Sequence, residues 1–279
     1  MKNLFTNVFL FIFSFSVNAQ VGDNLTIAKC EYKFIHRYDT TNFEKKITEN
    51  YGLLIGKSSS VYFSKDRFVQ DSLMIENSKK TGTMIAPSGR RYNDQKIYLF
   101  QDKKEHYITS HIVIGKYVVQ KDFPILNWKL HKDTIHYKGY ILNKATTQYH
   151  GRNYICWYAP SLPFKAGPWK LNGLPGLIFK AYDETKRVSF ELTTFTRTNT
   201  QENIKWDDKY KKITWDEYLK LIYFERDDPD GFIQTRFPGI QITSSVTPEQ
   251  RKKMPKQTVL DIPTYINFPL EDKKYLYLR

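Results

Sequence analysis

Apolar and polar residues alternate along much of this chain. Over 25–38 the alternation is regular: Ala28, Cys30, Tyr32 and Phe34 fall on one side, and Lys29, Glu31, Lys33 and Arg37 mostly on the other. A period of two is that of a half-buried strand. Further strands are predicted at 51–56 and 60–64. Asp66 then caps a predicted helix over 67–78, with Phe68, Val69, Leu73 and Met74 on roughly one side. Gly82, Pro87, Gly89 and Asn93 mark 80–95 as a loop. From 96 to 159 strand follows strand, with candidates at 96–101, 105–113, 115–121, 125–131, 133–137, 139–148 and 153–159. Two more follow at 177–183 and 187–197. Such short connections leave no room for crossover helices and imply antiparallel pairing. His150-Gly151-Arg152-Asn153 reads as a hairpin turn.

The last quarter turns helical. Thr214-Trp215-Asp216-Glu217 is a capping box, opening a helix over about 215–225 with Trp215, Leu219 and Ile222 inward. Asp228-Pro229-Asp230-Gly231 marks its end. A small helix is expected at Thr247-Pro248-Glu249. No repeat or low-complexity linker interrupts the chain. The expectation is one mainly β domain over 20–279: a strongly curved antiparallel sheet or half-barrel with a few packed helices, especially near the C-terminus.

The first residues change the picture. Lys2, an apolar run from Val8 to Val17 and the small-residue step Val17-Asn18-Ala19 have the three parts of a secretory signal, cut between Ala19 and Gln20. The run is shorter than the roughly 20 residues that span a bilayer. No Cys follows Ala19 directly, so a lipid anchor at the new terminus is not expected. Nothing later is apolar enough for a transmembrane helix. The expected destination is the periplasm, or the exterior. The net charge is +14, and cleavage removes one base and no acid. Such a balance suits anionic partners or simply a solvated surface. No nucleic-acid motif is present, and export points away from nucleic acid. Two cysteines, Cys30 and Cys156, allow one disulfide in an oxidising compartment. The alternative is two small buried residues.

Candidate chemistry is sparse. The His pairs 106/111 and 131/136 are five apart, which on a strand puts them on opposite faces. No His-Glu-x-x-His, Cys-x-x-Cys or Gly-x-Ser-x-Gly occurs. Asp207-Asp208 and Asp227-Asp228 read as solvated caps. No cofactor motif is present. The cluster Arg152, Tyr154, Trp157, Trp169 and Lys170 combines aromatic faces with cations and suits an apolar or glycan ligand bearing an anionic group. The competing reading is a sheet face on which Arg152 pairs with Asp183.

The stretch 139–183 is the most distinctive. It contains Gly139-Tyr140, Lys144-Ala145, Gly151-Arg152, Trp157-Tyr158-Ala159-Pro160, Gly167-Pro168-Trp169-Lys170 and the hexapeptide Gly173-Leu174-Pro175-Gly176-Leu177-Ile178. It resembles the GLPGLI family, named for that hexapeptide. Ile55-Gly56-Lys57, Tyr62-Phe63-Ser64, Thr214 to Glu217 and Asn267-Phe268-Pro269-Leu270-Glu271 extend the resemblance over most of the chain. The resemblance implies an exported protein of Gram-negative bacteria whose gene often lies near those for outer-membrane transport. Members commonly carry a Cys after the Gly-Tyr pair. Ile141 and Leu142 stand there instead, so a redox role at that position does not carry over. Physically, Leu174-Pro175-Gly176-Leu177 fits a type II turn, with Gly176 supplying positive φ and Leu174, Leu177 and Ile178 packing inward.

The function expected is therefore a non-catalytic envelope protein, binding an envelope ligand or a partner such as an outer-membrane transporter. A periplasmic hydrolase and a metal-binding envelope protein are the alternatives.

Overall fold

A computed structural model describes residues 24–39, 42–82, 92–112, 115–200 and 202–236. The expected signal segment, the helix near Thr247 and the aromatic tail lie outside the described residues. The fold is mainly β: the described residues form a twelve-stranded open sheet with three helices. The strands are β1 (Ala28–His36), β2 (Ile47–Ile55), β3 (Ser59–Ser64), β4 (Lys96–Phe100), β5 (Glu105–Ile112), β6 (Gly115–Lys121), β7 (Lys129–Tyr137), β8 (Tyr140–Tyr149), β9 (Arg152–Ala159), β10 (Leu177–Asp183), β11 (Val188–Arg197) and β12 (Lys211–Ile213). The helices are α1 (Lys65–Thr81), α2 (Trp215–Asp227) and α3 (Pro229–Arg236).

Spatial order is β12-β6-β5-β4-β3-β2-β1-β11-β10-β9-β8-β7. Two antiparallel meanders, β1–β6 and β7–β11, are joined along β1 and β11. The unpredicted β12 adds a parallel pairing at β6, so the sheet is mixed. No helix among the described residues is long and apolar enough to cross a membrane.

Alternation decides which face is inner. Ala28, Cys30, Tyr32 and Phe34 are all buried, as the period of two requires. Their neighbours Tyr51, Leu53, Phe190 and Leu192 continue the same layer. The hairpins close on two-residue turns with positive φ at both positions, Lys138-Gly139 and His150-Gly151. In the second, Arg152 and Asn153 already belong to β9. The segment read as a strand at 125–131 begins only at Lys129 and runs unbroken into 133–137.

Helix α1 departs from expectation at its cap. Its cap is Ser64, whose hydroxyl accepts from the Arg67 amide, while Asp66 turns aside to accept from Asn50. Four of its apolar residues face outward, Phe68 at 59% and Leu73 at 54% exposed and Val69 and Ile75 at about half, and no residue of the helix is buried. The side turned toward the protein carries Arg67, Gln70 and Asp71 together with Met74, which is thereby parted from Phe68, Val69 and Leu73.

Helix α2 keeps its capping box, and Tyr218, Leu219 and Leu221 are buried. Asp228-Pro229 ends α2 and also starts α3, where the Asp228 carboxylate accepts from the Gly231 amide. These helices pack on Ile112, Tyr117 and Val119. On the opposite face Ile204, Trp206 and Tyr210 cover Val61, Tyr98 and Tyr107.

The disulfide is absent: Cys30 and Cys156 are free and buried. They stand on β1 and β9, with β11 and β10 between them. Three strand spacings come to roughly 14 Å, about twice the largest Cα separation a disulfide tolerates.

Candidate functional site

The inner face of β8–β11 is covered by the chain between β9 and β10. Leu162, Leu171 and Leu174 pack into the main core, and every residue from 166 to 172 is buried. A loop buried this way must satisfy its own backbone. Here Leu171 N donates to Pro168 O, Gly173 N to Lys165 O, and Leu177 N to Leu162 O. Asn172 anchors the centre, donating to Pro124 O and Lys170 O while its own carbonyl accepts from Trp128.

The hexapeptide ends this segment, but not through the expected turn. Positive φ falls at Gly173 (88°), and Gly176 has none. Gly176 is required by proximity: a Cβ there would lie 2.3 Å from the Ala159 carbonyl oxygen. Leu174, Leu177 and Ile178 do pack inward.

The expected ligand cluster divides between two faces. Arg152 and Tyr154 share the inner side of β9, whereas Trp157, an odd number of residues away, lies on the other and donates to the Tyr182 hydroxyl. Arg152 Nη1 donates to Asp183 Oδ2 at 2.7 Å. Asp183 is buried, and the same carboxylate accepts from Thr185 Oγ1 (2.7 Å) and the Val188 amide (2.9 Å). It thereby ties off the β10–β11 turn, where Lys186 takes positive φ. The structural reading of Arg152 is the one supported here.

Trp169 and Lys170 belong to the buried segment. Trp169 has φ +56° and packs against Tyr149 and Tyr154. Lys170 is 2% exposed, its ammonium 5.5 Å from the Trp169 ring centre. Burial pushes the Tyr154 phenol upward in pKa.

Two histidines border this interior. Burial, reinforced by Arg152, lowers His36 to about 4. Burial, reinforced by Lys170, lowers His106 to about 3, although its Nδ1 donates to the Asp122 carbonyl at 2.9 Å. His111 lies on the opposite face against Tyr210, as the odd spacing requires. His131 contacts Thr146 Oγ1. Among the described residues no group of three or more His, Cys, Asp or Glu could hold a metal ion. Asp207 and Asp228 accept from nearby backbone amides, as caps do.

Sequence reasoning missed a second polar cluster. Lys180 lies 3.6 Å above the Tyr137 ring, and Tyr137 donates to Glu191, which also meets Lys180 at 3.7 Å. The Tyr137 hydrogen bond holds Glu191 below its ordinary pKa, while Tyr137 rises to about 12, chiefly by burial. It also missed two surface grooves. A polar one of about 290 Å³ lies beside Asn127, Thr147 and Tyr154. The other, of about 370 Å³, lies between β6, β12 and α2. Each is assembled from several elements, so no local pattern announces it.

No family model and no curated protein matches the chain. Among solved structures it is similar to PNGF-II. In the P21 space group form the TM-score is 0.52 at 14% identity, over 72% of this chain and 34% of that one. In the C2 form it is 0.51 at 15% identity, over 72% and 33%. The chain thus spans about a third of the length of these neighbours, and the likeness is one of fold.

Proposed function

We propose that this is a non-catalytic protein of the bacterial cell envelope that binds a protein partner through α1, the partner being an outer-membrane transporter. The carrying observation is the outward apolar side of α1. A 17-residue helix that buries none of its residues has little packing to support it. Phe68, Val69, Leu73 and Ile75 are each exposed on it, and exposed apolar side chains grouped on one element mark interaction sites. Export from a cleavable segment ending at Ala19, and the resemblance to the GLPGLI family, are part of this proposal.

The sheet in this reading is a strongly curved half-barrel. Ten strand positions separate β6 from β7, about 48 Å in a flat sheet. The connecting residues 122–128 reach roughly 28 Å at full extension. Tyr137 on the edge strand also touches Glu191, three strands inward of its neighbour β8. The concave side is filled by Leu162, Trp169, Leu171 and Leu174, which favours a protein partner over carriage of a lipid inside the sheet. Among the described residues no specific arrangement favours a hydrolase or a metal site.

The test is affinity purification from detergent-solubilised envelopes with mass spectrometry. Wild-type protein is expected to retain an outer-membrane β-barrel protein, and Phe68→Glu/Leu73→Glu to lose it while unfolding at the same urea concentration as wild type. Retention by the double variant, or no such protein with wild type, refutes the proposal.

A further inference from the structure

We propose that the groove between β6, β12 and α2 binds a small anionic amphiphile, with an acyl tail on the floor and a carboxylate or phosphate head at the rim. The floor is Tyr117, Ile213, Leu221 and Phe224. Tyr117 and Leu221 are buried members of the helical core, while Ile213 and Phe224 are half-buried and present their remaining surface to the opening. Three exposed cations stand on the rim: Lys211 from β12, Lys220 from α2 and Arg236 from the adjoining α3. None of the three makes a salt bridge among the described residues.

The one rim carboxylate among the described residues is already engaged. Glu217 accepts from the Thr214 amide at 2.8 Å and the Thr214 hydroxyl at 2.9 Å, closing the capping box. Lys211 and Lys220 are near enough to favour its ionised form. The rim therefore carries an excess of two positive charges over an apolar, aromatic floor. A neutral lipid would leave the cations uncompensated, and an inorganic anion would leave the floor wet. An amphiphile with one anionic end matches both. At about 370 Å³ the groove has the size of a small-molecule site. This site is separate from α1 and does not depend on the partner proposed there.

Isothermal titration of the intact protein with four probes below their micellar concentrations tests this. Dodecanoate and dodecyl phosphate carry the two anionic heads; dodecyltrimethylammonium has the same tail with a cation; inorganic phosphate has no tail. At least one of the two anionic amphiphiles is expected to bind saturably at one site per chain, and neither control. Lys220→Glu and Arg236→Glu are each expected to weaken binding about tenfold, the result of turning one rim attraction into repulsion. Both residues are exposed, so circular dichroism should match wild type. Absence of saturable binding by both anions, equal binding of the cationic probe, or unchanged affinity in both variants overturns the proposal.

Discussion

His36 and His106 show how burial beside cationic side chains sets the charge of an imidazole. An imidazole exposed to water titrates near 6.5. His36, at the end of β1, is lowered to about 4 by burial and by Arg152 and Arg187, with Asp183 only partly opposing. His106 is lowered to about 3 by burial, Lys170 and Lys121, with the Asp122 carbonyl opposing. Both folded values lie below the unfolded one, so the unfolded chain takes up protons first as pH falls. The folded state loses none of its stability from these groups above about 6.5. Below that, stability falls until each folded value is reached, by up to ~1.4 kcal/mol per pH unit for each histidine. Urea unfolding between pH 7 and 4.5 should therefore show a midpoint that drops with pH. His36→Gln and His106→Asn should each flatten that dependence, and their combination more so. An unchanged slope in the double variant would show that other groups carry the acid sensitivity.

Among the elements, the covering segment 162–178 depends on two glycines for different reasons. Gly173 needs its positive φ but has open space around it, the nearest atom being Trp128 Nε1 at 3.8 Å. Gly176 has an ordinary φ but faces the Ala159 backbone, which cannot rotate away as a side chain would. Gly173→Ala should cost roughly 1–2 kcal/mol, the strain of a left-handed residue. Gly176→Ala should cost more, about 3 kcal/mol, because the end of β9 and the start of β10 must separate. Urea midpoints of the two variants give the order, and a greater loss at Gly173 would contradict it. A strand such as β1 was legible because its alternation is also its burial. The capping box of α2 was legible because Thr214 and Glu217 complete it locally. The facing of α1 was not, since a helical period fixes a side without saying what lies against it. Nor was the burial of 166–172, which has no period at all. At the site, the Arg152–Asp183 pair stood among the readings, but Trp157 was grouped with Arg152 although an odd spacing on one strand puts them on opposite faces. The groove at Lys211, Lys220 and Arg236 had no such signal, because only tertiary packing of β12, α2 and α3 assembles it.

At the scale of the whole molecule, the question is what joins the two meanders. A bridge from Cys30 to Cys156 would weld β1 to β9, but the sheet order leaves both as thiols. Burial pushes both well above the usual thiol pKa, which keeps them in the unreactive protonated form. The join is instead the long β1–β11 pairing, which runs from Ala28↔Arg197 to His36↔Val188 with one shift of register. It brings together residues more than 150 positions apart. A covalent bridge would lower the entropy of the unfolded chain and make stability sensitive to reductant, typically by about 2–4 kcal/mol. Its absence predicts that dithiothreitol leaves the urea midpoint unchanged. Iodoacetamide should label both cysteines in urea without prior reduction and neither readily in the folded protein. Labelling that appears only after reduction would mean that Cys30 and Cys156 meet, and hence that the order of β1, β11, β10 and β9 is wrong. Because the thiols need no oxidising compartment, the argument for export rests on residues 1–19 and gains nothing from the cysteines.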